Sequence, residues 1–326
     1  MSQLPLVSVI TPSYNQVQYL EPAMQSVLGQ DYPHLEYAVI DGASTDGSQA
    51  VIQGYQEQLS WWVSEPDRGQ ASAINKGIDR ARGEIVAWLN SDDLYLPGAV
   101  QRAVQVMIET NAAMVFGDAV TIDDRGRLLN QLSFGDWGLR ELLRFRMICQ
   151  PAVFIRREAW ESVGGLNDDL HFMLDHRLWI DIAARYSIQH LSGVLAASRY
   201  HREAKNAAMA AGFAEEIHSL VEVLREDPAY RSFFFEDKKH ILGGAHRLAA
   251  RYLLDGGYPP RALGEYLRAL YYWPGYALQH GHRILYALLT MLTGKKTTPR
   301  TRARLSMDAL DHLELEHWPG IYLPGE

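Results

Sequence analysis

Asn90-Ser91-Asp92-Asp93 places two adjacent carboxylates directly behind an apolar run. Neighbouring carboxylates at the end of a buried strand repel each other and lose hydration, so they are costly unless a positive group sits beside them. Mn²⁺ or Mg²⁺ suits that role, because it takes oxygen ligands and is commonly held by one or two carboxylates together with substrate phosphates. In isolation the four residues read first as a solvated turn capping the next helix. Their position changes that reading. Three other polar clusters also follow apolar runs: Thr11-Pro12-Ser13-Tyr14-Asn15, Asp41-Gly42-Ala43-Ser44-Thr45-Asp46, and Glu65-Pro66-Asp67-Arg68-Gly69-Gln70. In a wound parallel sheet, ligands gather beyond the carboxyl ends of the strands, so all four clusters border one crevice.

The elements that must position them are legible. Residues 6–13, 35–41, 60–65 and 84–90 read as strands, and 20–28, 48–58 and 70–82 have helical spacing, the second helix preceded by the capping-type run Ser44-Thr45-Asp46. Alternating strand and helix predicts an α/β, mostly parallel wound sheet. Beyond it, the pattern predicts a helix over 98–109, a strand pair over 114–130 turning at Asp123-Asp124-Arg125-Gly126, and a helix over 137–145. After His201 the chain reads as helical, with breaks at Asp227-Pro228, at 256–260 and at Trp273-Pro274; Gly243-Gly244 reads as a further break.

In order and spacing, the runs 7–15, 39–48, 64–70 and 88–93 resemble the successive motifs of family 2 glycosyltransferases, and the likeness extends over about residues 5–205. It implies a GT-A fold and inverting transfer of a sugar from a nucleotide-diphosphate donor with a divalent metal, Mn²⁺ or Mg²⁺. Residues 1–205 would then be the catalytic domain, with a nucleotide-sugar-binding half (1–95) and an acceptor-binding half (96–205), followed by a helical region over 206–326. By the same likeness Pro12, Tyr14 and Asp41 surround the nucleoside, the carboxylate accepting from the N3–H of a uracil, which points to a UDP-sugar. Asp67, Arg68, Asn75 and Lys76 match the donor-side segment, with Arg68 or Lys76 facing the phosphates. Asp93 is assigned to the metal and Asp92 to ribose or phosphate.

Inversion by direct displacement needs a base on the sugar face opposite the leaving group. The run Phe172-Met173-Leu174-Asp175-His176-Arg177-Leu178-Trp179 resembles the family's base-bearing helix start, which makes Asp175 the base. Leu174 stands where the family often has a second acid. An alternative role for Asp175 is interaction with the helix dipole, and the two are compatible. Asp168 and Asp169 are nearby alternatives in a turn-like context. His201, in Ser198-Arg199-Tyr200-His201, reads either as a ligand of the metal or as a structural histidine, and Arg199 or Lys205 as a diphosphate clamp.

Composition bounds the rest. The 326 residues carry a net charge of −8, which argues against a nucleic-acid binder. The single cysteine, Cys149, forms no internal disulfide, and the expectation is a cytoplasmic chain with neither a secretory leader nor a membrane span. His240, His246, His280 and His282 lack zinc-like spacing with cysteine or carboxylate partners, so no structural metal site is expected. Residues 269–304 combine a leucine stripe, preceding aromatics and the cations Lys295, Lys296, Arg300, Arg302 and Arg304. They read equally as a segment lying on the inner face of an anionic membrane or as a helix packed on the rest of the protein or on a second subunit. The expected reaction is transfer to a hydroxyl of a glycan or lipid-linked acceptor, as in polysaccharide or cell-envelope biosynthesis. The alternatives are a sugar nucleotidyltransferase, against which the lack of a Gly- and Arg-rich loop after the first strand argues, and a non-catalytic nucleotide-sugar-binding protein.

Overall fold

In the computed structural model, residues 4–201, 209–293 and 318–321 are described. Lys205, the cluster Lys295 to Arg304 and the acidic residues Asp308 to Glu316 lie outside them. The chain divides into two compact units, one holding residues 4–138, 148–200 and 318–321, the other 139–147, 201 and 209–293.

The first unit is built on a nine-stranded sheet. Its opening half alternates β1 (Val7–Ser13), α1 (Val17–Leu28), β2 (Leu35–Asp41), α2 (Ser48–Gly54), β3 (Trp61–Ser64), α3 (Gln70–Arg80) and β4 (Ile85–Trp88). These strands pair in parallel in the order β3-β2-β1-β4. Both faces are covered by helices, so β1 and β4 are buried along their whole length; β4 reads as a continuous apolar run, whereas β1 also buries Ser8, Thr11 and Ser13. The chain winds to one side through β2 and β3, then returns to the other side of β1 with β4. That reversal makes the β1/β4 gap the switch point where α/β sheets bind ligands. Pairing of β1 with β4 stops at Ile10 and Trp88, so Pro12, which has no N–H to give, falls where no β4 partner requires one.

The sheet continues through β5 (Leu94–Tyr95), α4 (Ala99–Thr110), the hairpin β6 (Met114–Ile122) and β7 (Leu128–Leu132), β8 (Val153–Arg156), α6 (Arg157–Val163), α7 (Leu174–Ala183) and β9 (Ile188–Arg199). Pairing here is mixed: β8 runs antiparallel to β4 and β6, β5 antiparallel to β9, and β6 parallel to β9. The fold is therefore a mixed α/β sheet whose parallel half carries the four polar strand ends. Residues 318–321 close the edge beside β5. The Trp318 indole donates to the Tyr95 carbonyl at 2.7 Å, and Ile321 joins Leu94, Leu96 and Val194 in a small apolar cluster.

The second unit comprises α5 (Leu139–Leu143), α8 (Ala210–Glu226), α9 (Pro228–Glu236), α10 (Lys238–Asp255), α11 (Pro259–Tyr272), α12 (Pro274–Leu278) and α13 (Gly281–Thr293). The breaks at Pro228, Gly256-Gly257 and Pro274 end helices as expected, and the Asp227 side chain caps α9 by accepting from Ala229 N–H at 2.9 Å. Gly243-Gly244 breaks nothing. Both lie inside α10, where a Cβ on Gly243 would come within 2.5 Å of Trp273 and one on Gly244 within 1.9 Å of the Arg144 carbonyl, so close packing explains the pair. Among the described residues, no helix is long and apolar enough to cross a membrane.

Candidate active site

The turn after β4 is held from several directions. The Asn90 amide donates to Asp93 Oδ2 at 3.2 Å and to Gln150 Oε1 at 3.0 Å, and accepts from Gln70 at 2.7 Å. Gln150 in turn donates to the Trp88 carbonyl at 2.9 Å, and Ser91 donates to Gln16. Across the turn, the backbone N–H of Arg199 at the end of β9 donates to Asp93 Oδ1 at 2.9 Å. The Arg199 guanidinium does not meet the carboxylate. It donates instead to the carbonyls of Asp92 and Asp123, both at 3.0 Å, and lies over the Tyr19 ring. Arg199 is 7% exposed and committed to these groups, so it braces the turn rather than standing free as a diphosphate clamp.

Asp93 is thus buried beside half-buried Asp92. Burial and then the Asp92 charge push its carboxyl up to about 7, against hydrogen bonds from Arg199, Asn90 and Ser198 that favour the anion. A buried carboxylate short of positive charge is a donor set that fits a hard divalent cation. His201, buried two residues beyond Arg199, is placed by the chain just past the same strand end.

On the other side of β1 the strand ends make a second polar surface. Asp41 is fully buried and accepts from Ser44 N–H at 2.9 Å, Ser44 Oγ at 2.5 Å and Ser64 Oγ at 2.5 Å. A carboxylate has about four acceptor positions, so one remains. Asn15 and Ala43 adopt positive φ of 51° and 60°, and they are tied together by Asn15 N–H to Ser44 Oγ (2.8 Å) and Thr45 N–H to Asn15 Oδ1 (2.9 Å). Gly42 lets three groups converge, because a Cβ there would lie 2.8 Å from Asp67 Oδ2 and 3.2 Å from Tyr14 Cδ2. Tyr14 is exposed over this surface, Pro12 is buried beneath it and Asp67 is half-buried at its side.

The remaining residues expected on the donor side are engaged with neighbours. Arg68 pairs with Asp168 at 2.5 Å and Lys76 with Glu65 at 2.7 Å. The Asn75 amide donates to the Leu166 carbonyl and to Asp168, and accepts from Leu166 N–H, so it holds the 165–168 loop. Asp168 is accordingly a fastening point between α3 and that loop. Asp175 is half-buried in the first turn of α7. One turn on, Trp179 is fully buried and stacks on Trp88 at 5.4 Å, while Trp160 meets Trp88 edge-on at 5.9 Å. Positions i and i+4 share a helix face, so this contact fixes the face of α7 that carries Asp175 against the strand leading into Asn90–Asp93.

With this geometry in hand, residues 8–158 match glycosyl transferase family 2. The chain carries a family 2 glycosyltransferase domain. TuaG of Bacillus subtilis (strain 168), named as a teichuronic acid biosynthesis glycosyltransferase, is 41% identical over 115 residues, 34% of this chain and 46% of that protein. Chondroitin synthase of Escherichia coli is 26% identical over 199 residues, 60% of this chain and 29% of that protein. The chain thus spans less than half the length of these curated relatives. Among solved structures, S. aureus TarS in complex with UDP superposes with TM-score 0.58 at 16% identity, over 89% of this chain and 92% of that one. A mannosyltransferase from Pyrobaculum calidifontis in complex with GDP-Man and Mn²⁺ gives 0.59 at 21% identity, over 90% and 89%. The glycosyltransferase domain therefore has the GT-A fold. Sequence reasoning missed Gln16, and it gave Gln70 and Gln150 no part in fastening the Asn90 turn; glutamine in a helix or loop carries no signal of its partner until the partner is known.

Proposed function

We propose that the protein is an inverting, metal-dependent glycosyltransferase that moves a sugar from a UDP-sugar to a hydroxyl of a glycan or lipid-linked acceptor. The observation that carries this reading is the buried Asp93 beside Asp92 at the sheet's switch point, with the Asp175 face of α7 clamped to the same strand through Trp179 and Trp88. The TarS and mannosyltransferase complexes with UDP, UDP-GlcNAc and GDP-Man support a nucleotide-sugar donor.

Tyr14 offers the nucleobase a face, Pro12 floors the site, and Asp41 keeps one acceptor position for the N3–H of uracil, with Asp67 alongside. Arg68 and Lys76 rest in exposed ion pairs, which are weak enough to yield to a phosphate. Asp93 and His201 would hold Mn²⁺ or Mg²⁺, and Asp92 would meet the ribose or phosphate. When bound, the ion supplies positive charge where the leaving diphosphate gains negative charge. Asp175 takes the proton of the acceptor hydroxyl as its oxygen bonds to the anomeric carbon. The bond between that carbon and the phosphate oxygen breaks on the opposite face, and the nucleoside diphosphate leaves with the electron pair.

The test is release of UDP from UDP-sugars with Mn²⁺ or Mg²⁺, with and without acceptor. Asp93→Ala should abolish metal-dependent donor binding. Asp175→Asn should keep donor binding and lose transfer by at least about a thousandfold. The reverse pattern, or no donor bound by the wild type, overturns the assignment.

The apolar stripe of α13 supports a peripheral membrane contact, at the inner face for a cytoplasmic chain. Leu285, Leu289 and Leu292 are 57%, 50% and 77% exposed, and Tyr271 before them 81%. An exposed stripe of this kind, followed in sequence by clustered cations, suits an anionic lipid surface where lipid-linked acceptors reside. Leu285→Glu with Leu292→Glu should abolish co-sedimentation with anionic phospholipid vesicles. Unchanged sedimentation sinks the membrane contact.

A further inference from the structure

Three helices of the second unit bring together a group that no sequence spacing announces. His218 of α8, His246 of α10 and Glu265 of α11 each present one ligand atom, and these atoms all lie within 4.8 Å of one another. The Glu265 Oε2 oxygen stands between the imidazoles, 2.7 Å from His246 Nδ1 and 3.3 Å from His218 Nε2.

The surroundings prepare this carboxylate to act as a ligand. Glu265 is 7% exposed, and its other oxygen, Oε1, accepts from Arg268 at 2.6 Å, which fixes the carboxylate plane and leaves Oε2 to the histidines. Burial opposes its charge, but the hydrogen bonds and charges of His218 and His246 outweigh that and hold its carboxyl well below the usual range. His246 is held in turn by Tyr272, stacked on it at 5.6 Å with 7° between planes. His218, with a side chain 41% exposed, is the open side through which an ion enters.

We propose that His218, His246 and Glu265 form a second metal site, for Zn²⁺ or a similar borderline divalent transition ion, separate from the Asp93 site. Two imidazole nitrogens and one carboxylate oxygen are a typical zinc donor set. An ion about 2.1 Å from each donor needs donors about 3.4 Å apart: the Glu265–His218 pair already stands at 3.3 Å, the Glu265–His246 pair must open from 2.7 Å, and no pair exceeds 4.8 Å, so ring rotations are enough to seat the ion. The nitrogens that now face Oε2 would turn lone pairs to the ion, as metal ligation by imidazole requires. Three protein donors leave a fourth position to water. Such an ion ties α8, α10 and α11 together, as side chains on facing helices do in metal-binding bundles.

The full chain, stripped with chelator, is titrated with Zn²⁺ by calorimetry and with Co²⁺ by visible absorption, in the wild type, Asp93→Ala, His218→Ala and Glu265→Gln. The wild type and Asp93→Ala should each bind one Zn²⁺ at this site, give the Co²⁺ ligand-field bands of a nitrogen- and oxygen-ligated ion and melt higher with Zn²⁺. His218→Ala, at a half-exposed position that leaves the helices packed, should lose the bands and bind at least tenfold more weakly. Circular dichroism checks the fold of each variant. If Asp93→Ala binds no Zn²⁺, or His218→Ala binds as tightly as the wild type, the three residues are a hydrogen-bonded triad only and the proposal fails.

Discussion

The indole of Trp179 lies stacked on that of Trp88, 24° from parallel, and this contact joins the two halves of the proposed chemistry. Trp88 ends β4 two residues before Asn90, and Trp179 stands one helical turn after Asp175. Neither indole is accessible to solvent beyond a trace. The proposed base and the proposed metal-binding turn therefore share one aromatic support, although 82 residues separate Asp93 from Asp175 (175 − 93) in the sequence.

Trp179→Phe keeps an aromatic ring but shrinks the stack, so α7 settles differently on β4. Stability should fall by roughly 1–3 kcal/mol, less than the loss for a truncation to alanine. A displacement of Asp175 by even part of an ångström should lower kcat on the order of tenfold to a hundredfold. Donor KM should move less than kcat, because the proposed nucleoside surface lies on the other side of β1 and only the diphosphate end of the donor would meet the turn behind Trp88. A rise in donor KM with unchanged kcat would show that the stack supports the donor pocket instead.

Asp93 gives the metal-free protein a distinctive pH dependence. Its folded carboxyl titrates near 7 rather than the ordinary 3.8, so the folded state holds a proton that the unfolded chain has already released. Stability from this group is complete below about pH 4 and is lost as pH rises through about 7. The thermal midpoint of the metal-free wild type should therefore fall between pH 5.5 and 7.5 relative to Asp93→Asn, which carries no such proton. Mn²⁺ should raise the wild-type midpoint more at pH 7.5 than at pH 5.5, since at the lower pH it must displace the proton. Parallel curves for the two proteins would place the titration elsewhere.

Arg199 holds the same turn by backbone and side chain together. Arg199→Met retains the N–H bond to Asp93 but removes the two guanidinium hydrogen bonds to the carbonyls of Asp92 and Asp123, the second of which still accepts from Gly126 N–H, at about 1–3 kcal/mol each. It also removes a cation that Asp93 feels. The melting temperature should drop by roughly 5–10 °C, with metal affinity weakened further than donor affinity. A variant that melts like the wild type would mean that the guanidinium contacts add nothing to the turn.

Strands β1 to β4 and their polar ends were legible because each is a short apolar run that stops at turn residues, a local signal. The clustering of Tyr14, Asp41 and Asp67 followed from parallel order alone. The groups that hold the site were not legible. Arg199 meets Asp93 across 106 residues, Asn75 meets Asp168 across 93, and nothing in arginine or asparagine as a residue type indicates a distant partner. Histidine spacing could not announce the His218, His246 and Glu265 cluster for the same reason: the three sit on separate helices, so their proximity comes from packing and not from a motif. The Gly243-Gly244 pair misled because glycine signals equally a break and a close approach, and only the neighbours Trp273 and Arg144 decide between them.

His280, just after α12, offers a test confined to the helical unit. Burial first, then the cations Arg247, Arg283, His282 and Arg251, push its imidazole down to about 4 from the usual 6.5. The folded state thus resists a proton that the unfolded chain accepts. Stability linked to His280 is complete above about pH 6.5 and is lost as pH falls toward 4. Allowing for screening at a partly exposed ring, the loss should be of order 1–2 kcal/mol. His280→Gln takes no proton, so in urea titrations at pH 7 and pH 4.5 its stability should fall by that much less than the wild type's. Acidic groups elsewhere titrate equally in both proteins and cancel in the difference. Equal falls would show that the surrounding arginines do not oppose protonation of His280.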